Sequence, residues 1–233
     1  MSAEQFGFLE GRQIHEAIGV AQEGLHSMKS LKLEGVVVKI DLSKAYDRVN
    51  WLYIRMLMTH LGFGLEFIRW VMSCITSVSF SILINGAATN FFHAQRGLRQ
   101  GCPLSPLLFL LVAEGLSRYI KDAVARGNFG GIQIARGMTI SHLLFVDDIL
   151  IFCNGTRRGT DCLNEGLNLF KRATGMIINE GKSVLIENMN QVDDLHYMAG
   201  IFPFQVEPLN KGLKYLGFLL KPNKYLKGTG CGY

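Results

Sequence analysis

Two adjacent carboxylates, Asp147 and Asp148, stand between apolar, β-favouring runs of sequence. Residues 143–146 and 149–152 are predicted as two buried strands, which makes the Asp pair the tip of a tight hairpin. An Asp pair in a turn is often only a solvated turn, but anions at the end of core strands are costly unless a cation compensates them. Carboxylate oxygens suit Mg²⁺, which leaves its other positions to water and substrate phosphates. The pattern therefore predicts a metal site that needs further carboxylate from elsewhere.

The size and composition of the chain suit a globular protein with a large core. It has 233 residues, of which 48% are hydrophobic and 18% charged, enough for one large domain or a domain with a small appendage. The net charge of +5 is compatible with a phosphate-rich partner without requiring one. No secretory signal or membrane-spanning run appears, so no membrane partner is expected.

The cysteines are odd in number and form no C-x-x-C pair (Cys74, Cys102, Cys153, Cys162 and Cys231). This usage is typical of a reducing compartment and argues against a disulfide framework, a disulfide-linked partner and a thiolate zinc site. We therefore expect an intracellular protein, in the nucleus or the cytoplasm.

A second candidate carboxylate, Asp41, ends a β-branched strand predicted over residues 35–41. A helix is predicted to follow from about Asn50, an N-cap candidate, with Gly62 as its stop. If the strand of Asp41 lies beside the hairpin of the Asp pair, the three carboxylates can hold metal ions between them. The alternative is that Asp41 simply begins a turn.

The remaining elements follow the same periodicities. Helices are predicted over residues 13–30, 65–75, 107–126 and 160–173. Hairpins are predicted over residues 78–93, with an Asn85-Gly86 turn, and over 131–141. A turn-containing strand is predicted over 177–186 and a last strand over 214–220.

A loop connects the hairpin at 78–93 to the helix at 107–126, with the sequence Arg96-Gly-Leu-Arg-Gln-Gly-Cys-Pro-Leu-Ser-Pro106. This loop combines three properties that suit binding. Its glycines allow close backbone approach, its arginines carry positive charge, and Gln100 offers a planar amide. This combination suits a nucleotide or a template strand. Glycine- and proline-rich loops are also common before helices for purely structural reasons.

In this order, the pieces resemble the palm of reverse transcriptases from plant non-long-terminal-repeat (LINE-type) retrotransposons. The resemblance covers nearly all of residues 3 to 220 and rests on residues 11–14, 39–51, 96–106, 145–148, 175–182 and 215–217. It implies an α+β polymerase palm, an antiparallel sheet with helices packed on one face, with partial fingers and no complete thumb. The implied domains are a residual fingers segment (1–34), the palm with the catalytic motifs (35–187), and the end of the palm with a truncated start of the thumb (188–233).

The resemblance also implies an RNA-directed DNA polymerase activity and assigns catalytic roles. Asp41, Asp147 and Asp148 would hold two Mg²⁺ ions, for which Mn²⁺ is a possible substitute, and Lys182 would protonate the leaving pyrophosphate. The implied partners are an RNA template, a DNA primer and dNTPs.

Further residues match motifs of that family that touch the substrates. Tyr46 would lie under the incoming sugar, where its ring would exclude a ribonucleotide 2′-hydroxyl. Arg99, Gln100 and Gly101 would line the nucleotide and template. Tyr215, Leu216 and Gly217 would grip the primer end.

The chain also departs from the family pattern. Val146 replaces the alanine that usually precedes the Asp pair, and we expect the carboxylates to stay in place. An earlier fingers segment and the following thumb are missing, so we expect the chain alone to be a truncated, weakly active or inactive fragment.

Three alternatives remain at the level of sequence. The chain could be a non-catalytic nucleic-acid-binding relic of a retroelement, or a group II intron-type reverse transcriptase or maturase. A viral RNA-dependent RNA polymerase is disfavoured by Tyr46, because ribonucleotide use needs room for the 2′-hydroxyl.

Overall fold

The fold is given by a computed structural model that describes residues 1–135 and 137–223. Its helices are α1 (Ile14–Ser30), α2 (Ala45–Arg48), α3 (Trp51–His60), α4 (Leu65–Thr76), α5 (Leu104–Ala125), α6 (Arg157–Thr174) and α7 (Val192–Ile201). Its strands are β1 (Gly35–Ile40), β2 (Ser79–Phe80), β3 (Leu83–Ile84), β4 (Ala87–Ala88), β5 (Phe92–His93), β6 (Ile132–Ala135), β7 (Met138–Ile140), β8 (His142–Phe145), β9 (Asp148–Cys153), β10 (Val184–Asn188), β11 (Gln205–Pro208), β12 (Leu213–Tyr215) and β13 (Phe218–Leu220).

The central sheet has five strands in the order β11-β10-β1-β9-β8. The pairs β8–β9, β9–β1 and β1–β10 are antiparallel, whereas β11 runs parallel to β10. Within the sheet, Ile40 pairs with Ile149 and Val36 with Cys153. The outer edge of β8 is paired by the N-terminal segment, because the Phe6 N–H donates to the Leu144 carbonyl at 2.8 Å. This pairing leaves less open backbone at the edge that carries the Asp hairpin.

Both faces of the central sheet are covered. Alternate side chains of β1 and β9, such as Val38 and Ile151, pack with α3 to α7 on one face. Val37 and Phe152 point to the other face, where α1 and the β6–β7 and β12–β13 hairpins lie. The α+β expectation is confirmed, but α1 adds a helix on the face that the resemblance left open. The reason is local: the first four residues of β1 are all buried, so the strand needs cover on both sides.

Several predicted elements are confirmed, with their local signals. Asn50 caps α3, because its side chain accepts from the Leu52 N–H at 2.8 Å. The β3–β4 hairpin turns at Asn85 and Gly86, which have φ of +50° and +84°. Both values belong to the primed turn that an Asn-Gly pair favours.

Several elements differ from the sequence prediction. Helix α5 begins at Leu104 rather than Leu107, since the first helical turn needs no N–H from Pro106. Helix α6 is capped by Thr156, whose hydroxyl accepts from the Gly159 N–H, and not by Thr160. The strand predicted over residues 214–220 is a hairpin, β12–β13, because the backbone turns back at 216–217.

A buried polar chain ties the N-terminal segment to β8. The Ser2 N–H donates to Oε2 of buried Glu114 at 2.9 Å, and the Ser117 hydroxyl donates to the Ser2 hydroxyl at 2.8 Å. Ser117 Oγ also lies 2.7 Å from Nε2 of His142, and Ser141 Oγ lies 2.9 Å from its Nδ1. Since the Ser117 proton is used, this arrangement fits a neutral imidazole that donates from Nε2. Burial, the largest cause, lowers the pKa of His142 from 6.5 to about 4.

The buried imidazole makes the fold sensitive to acid. The unfolded chain binds a proton at His142 below about pH 6.5, whereas the folded chain resists protonation down to about pH 4. The free energy of unfolding should therefore fall as the pH drops through this window, by about 3 kcal/mol from this group. Urea unfolding of the wild type and of His142→Asn at several pH values measures the difference. Equal pH slopes in both proteins would contradict the prediction.

Candidate active site

The Asp hairpin is a two-residue turn closed by the pairing of Phe145 with Asp148. Val146 and Asp147 form the turn, so Asp148 is the first residue of β9 and not part of the tip as predicted. Val146 has φ +59°, a conformation that is unfavourable for a β-branched side chain. Its Cγ2 lies only 2.6 Å from where a Cβ on Gly7 would stand, so glycine is needed there. The turn leaves Asp147 exposed and Asp148 half-buried.

Asp41 follows β1 at the same end of the sheet. The pairing of Ile40 with Ile149 brings it beside the start of β9, where Asp148 lies. Its backbone is held on both sides: the Asp41 N–H donates to Ser183 Oγ at 3.1 Å, and the Asn179 N–H donates to the Asp41 carbonyl at 2.8 Å. The side chain is partly exposed and is not sealed beneath apolar groups. The carboxylates at 41 and 147–148 therefore converge, although the chain separates them widely.

The charges of this cluster act on one another. The pKa of Asp148 is raised, chiefly by burial and further by the negative charges of Asp147 and Asp41. Lys39 opposes this shift, and its ammonium group donates to the Lys214 carbonyl at 2.8 Å. The sequence analysis did not single out Lys39. The sequence feature that could have identified it is the alternation of side chains along a strand, which puts Lys39 and Asp41 on the same face.

The donors of the cluster fit a divalent cation that arrives with a phosphate. All three side chains offer oxygen, the ligand that Mg²⁺ and Mn²⁺ prefer. Across residues 1–135 and 137–223, no three metal-ligating side chains form a ready-made cage. Mg²⁺ is usually bound by one or two carboxylates together with substrate phosphates, so such a cage is not required.

Tyr46 lies between the carboxylates and the loop of Gln100. Its ring stacks on Phe109 with a centroid distance of 4.8 Å and an interplanar angle of 10°. Burial raises the pKa of Tyr46, and the charge of Asp147 adds to the shift, so the two groups are close. Tyr46, Gln100 and Gly101 line one pocket of about 380 Å³. The structure therefore joins these three predicted residues in a single site beside Asp147.

The loop that carries Gln100 is fastened to the segment after Asp41. The Leu98 N–H donates to the Tyr46 carbonyl at 2.7 Å, and the Trp51 indole N–H donates to the Gly97 carbonyl at 2.6 Å. Gly97 has φ +92°, and a Cβ there would stand 2.8 Å from the Asp47 carbonyl oxygen. Only glycine allows this approach.

Arg99 does not line the Tyr46 pocket. Its side chain is exposed and lines two adjoining pockets instead. The sequence grouped Arg99 with Gln100 and Gly101, but consecutive loop residues point in different directions.

Lys182 lies in a turn next to Asp41. Its N–H donates to the Asn179 carbonyl at 3.2 Å, and Asn179 and Ser183 on either side are the residues that hold the Asp41 backbone. The Lys182 side chain is exposed. Ser183 and Asn179 were missed by the sequence analysis, because their role depends on contacts across the sheet.

Tyr215 lies near Asp148, on the face of the sheet that carries α1. It is fully buried, and its hydroxyl has no hydrogen-bond partner among the described residues. Burial raises its pKa, and the charge of Asp148 adds to the shift. Leu216 and Gly217, with φ of +48° and +85°, form the turn of the β12–β13 hairpin. This hairpin therefore approaches the carboxylates from the face that carries α1.

No described helix is long and apolar enough to cross a membrane.

Comparison with solved structures supports the polymerase-like α+β architecture. The chain is similar to telomerase from Candida albicans, in a complex with the TWJ fragment of telomeric RNA, with a TM-score of 0.56 and 12% identity over 76% of this chain and 30% of that chain. It is similar to apo telomerase from Candida tropicalis, with a TM-score of 0.55 and 16% identity over 78% and 36%. At such identities the likeness concerns the fold alone.

Sequence comparison identifies relatives in mobile elements. Over 129 residues the chain is 32% identical to the Retrovirus-related Pol polyprotein from type-1 retrotransposable element R2 of Popillia japonica, covering 54% of this chain and 20% of that protein. Over 219 residues it is 25% identical to the Transposon TX1 uncharacterized 149 kDa protein of Xenopus laevis, covering 92% and 16%. Over 67 residues it is 46% identical to an uncharacterized mitochondrial protein of Arabidopsis thaliana, covering 28% and 55%.

The chain thus spans between 16% and 55% of the length of these relatives. The profile of one protein family, described as Reverse transcriptase (RNA-dependent DNA polymerase), matches residues 1–220. That family generally uses divalent metal ions, in keeping with the carboxylate cluster. With the match extending over nearly its whole length, the chain belongs to the reverse transcriptase family, and retrotransposon proteins are among its relatives.

Proposed function

We propose that this chain carries the catalytic part of an RNA-directed DNA polymerase, a nucleotidyltransferase that adds dNTPs to a primer 3′-hydroxyl on an RNA template. The observation that carries the proposal is the convergence of Asp41, Asp147 and Asp148 beside the pocket of Tyr46 and Gln100. A cluster of anions next to a cavity lined by a glutamine amide and an aromatic ring suits a nucleoside triphosphate.

The three carboxylates would hold two Mg²⁺ ions, which Mn²⁺ can replace. Bound ions of this kind activate the attacking hydroxyl and stabilise the leaving group. Lys182 is our candidate for the general acid that donates a proton to the leaving pyrophosphate, because its turn adjoins Asp41. Lys39 would keep Asp148 ionised by opposing the effect of burial.

The substrates are assigned to the surfaces around the cluster. Tyr46 would lie under the sugar of the incoming dNTP, and Gln100 with Gly101 would line the nucleotide and its template base. Tyr215, Leu216 and Gly217 would hold the primer end, since their hairpin packs on the face of the sheet opposite to the one that Tyr46 packs against. We assign residues 1–34 to the fingers, 35–187 to the palm and 188–233 to the end of the palm and the start of the thumb.

We further propose a plant non-long-terminal-repeat element as the origin. The 46% identity to the Arabidopsis thaliana protein supports this origin. A second candidate function is that of a non-catalytic nucleic-acid-binding relic, favoured by the basic balance of the chain.

Primer extension tests the proposal. Purified chain, an RNA template with an annealed DNA primer, dNTPs and Mg²⁺ should give slow extension that EDTA abolishes and Mn²⁺ restores. Binding of the primer–template is measured alongside by fluorescence anisotropy over a range of salt concentrations. Salt-sensitive binding without any metal-dependent extension would select the relic instead.

A further inference from the structure

The turn that carries Asp147 needs support from outside its own hairpin. Val146, the residue before it, has φ +59°. A β-branched side chain disfavours this conformation, and such positions persist only where the surrounding structure enforces them. Val146 and Asp147 together form the two-residue turn, so the direction of the Asp147 side chain depends on the backbone of Val146. Contacts that hold Val146 therefore also hold the carboxylate.

The N-terminal segment, residues 2–7, provides such contacts. It runs parallel to β8, and the Leu144 N–H donates to the Glu4 carbonyl at 2.8 Å. At the end of the segment, a Cβ on Gly7 would stand 2.6 Å from Cγ2 of Val146 and 2.9 Å from its backbone nitrogen. The segment therefore packs against both the side chain and the backbone of Val146, and only a residue without a Cβ comes this close.

Arg12 holds the N-terminal segment in its folded shape. Its Nη1 donates to the Ser2 carbonyl at 2.6 Å, to the Ala3 carbonyl at 3.2 Å and to the Gln5 carbonyl. The guanidinium also lies 6.0 Å from the centroid of the Phe6 ring. Hydrogen bonds from a charged donor are stronger than neutral ones, so a single side chain fixes the course of the segment.

We propose that Arg12 and Gly7 are positioning residues for the polymerase reaction. Arg12 holds the segment, Gly7 admits it to the side of Val146, and the turn then keeps Asp147 close to the other carboxylates. The inference rests on the proposed function and extends it to residues that are neither metal ligands nor part of the Tyr46 pocket. The bonds of Arg12 to backbone carbonyls favour this use of its charge over the binding of a phosphate.

Single-turnover primer extension by Arg12→Gln tests the role of the guanidinium. The maximal rate should fall about tenfold, because a small displacement of a catalytic group slows the reaction strongly. The Mg²⁺ concentration that gives half of the maximal rate should rise about tenfold, as for other changes behind a metal ligand. This concentration does not depend on the fraction of folded protein, so a variant that is merely less stable would keep the wild-type value. Arg12→Lys retains the charge and should recover part of both losses.

Hydrogen exchange followed by mass spectrometry gives a readout that needs neither metal nor substrate. The Leu144 N–H is protected in the wild type by its bond to the Glu4 carbonyl. In Arg12→Gln, exchange over residues 141–147 should become about tenfold faster. Exchange in β10, which lies beyond β9 and β1 in the sheet, should stay unchanged. Thermal melting verifies that each variant is folded.

Gly7→Ala tests the contact with Val146. The added methyl group should displace the turn and lower the maximal rate by about 10²-fold. In a Val146→Ala background the same change should lower the rate by only about tenfold, because Cγ2 is gone while the contact with the backbone nitrogen stays. Gly19→Ala is the matched control, since a Cβ there meets no atom within 4 Å, and it should keep the wild-type rate.

Arg55→Gln, a change on the exposed face of α3, removes the same charge as Arg12→Gln and should alter neither the Mg²⁺ dependence nor the exchange. Wild-type Mg²⁺ dependence and exchange in Arg12→Gln would overturn the inference, as would equal losses from Gly7→Ala in both backgrounds. Weaker binding of primer–template by Arg12→Gln, with wild-type exchange, would assign the guanidinium to a phosphate and also overturn it. Failure of the polymerase proposal looks different: the wild type then shows no metal-dependent extension, and the exchange in Arg12→Gln alone decides whether the segment holds the turn.

Discussion

Asp147→Ala is expected to lower dNTP incorporation by about 10³-fold, which corresponds to about 4 kcal/mol of transition-state stabilisation. Asp147 lies in the exposed turn between β8 and β9, so its side chain makes little contribution to the core. The loss should therefore appear in the rate while the fold is retained. Single-turnover extension of a DNA primer on an RNA template measures the rate, and circular dichroism verifies the fold.

The control for this variant is Asp122→Ala. Asp122 is an exposed acid on α5 whose ion pair with Arg126 joins two surface groups, and such pairs contribute little to stability. Its removal changes the net charge by the same amount and should leave the extension rate unchanged. Full activity in Asp147→Ala would show that the carboxylate cluster is not the catalytic centre. Equal losses in both variants would point to an unspecific charge effect.

Tyr46→Ala is expected to lower the preference for dNTPs over rNTPs by about 10²-fold in kcat/KM. The ring of Tyr46 is held in place by its stack on Phe109 and lines the pocket together with Gln100. A rigid ring under the sugar excludes a 2′-hydroxyl by its volume, so a methyl group in its place should admit ribonucleotides. Competition between a dNTP and the matching rNTP in primer extension gives the ratio.

Tyr46→Phe separates the ring from the hydroxyl. It keeps the stack on Phe109 and should retain the dNTP preference. The Tyr46→Ala variant should still extend with dNTPs, since the carboxylates are untouched. A dNTP preference that survives in Tyr46→Ala would remove Tyr46 from the sugar site and assign it to the core beside α5.

Much of the local structure followed from short sequence signals. The aliphatic runs before and after the Asp pair predicted β8 and β9, Asn50 predicted the start of α3, and Asn85-Gly86 predicted a primed turn. Each of these depends on interactions within a few residues. The prediction that Thr160 caps α6 was wrong. Thr156, four residues earlier, is also a capping residue, and its hydroxyl accepts from the Gly159 N–H.

The amino-acid sequence alone determined the order of the motifs, and with it the family and the α+β class, because strand alternation and turn residues act locally. The tertiary structure alone decided that Asp41 and Asp148 lie side by side, that Lys39 opposes the rise in the pKa of Asp148 caused by burial, and that Arg99 lines neighbouring pockets and not the Tyr46 pocket. These relations depend on register between strands far apart in the chain and on packing against both faces of the sheet. No local pattern carries that information, since a shift of one residue in register would turn the same side chains to the opposite face.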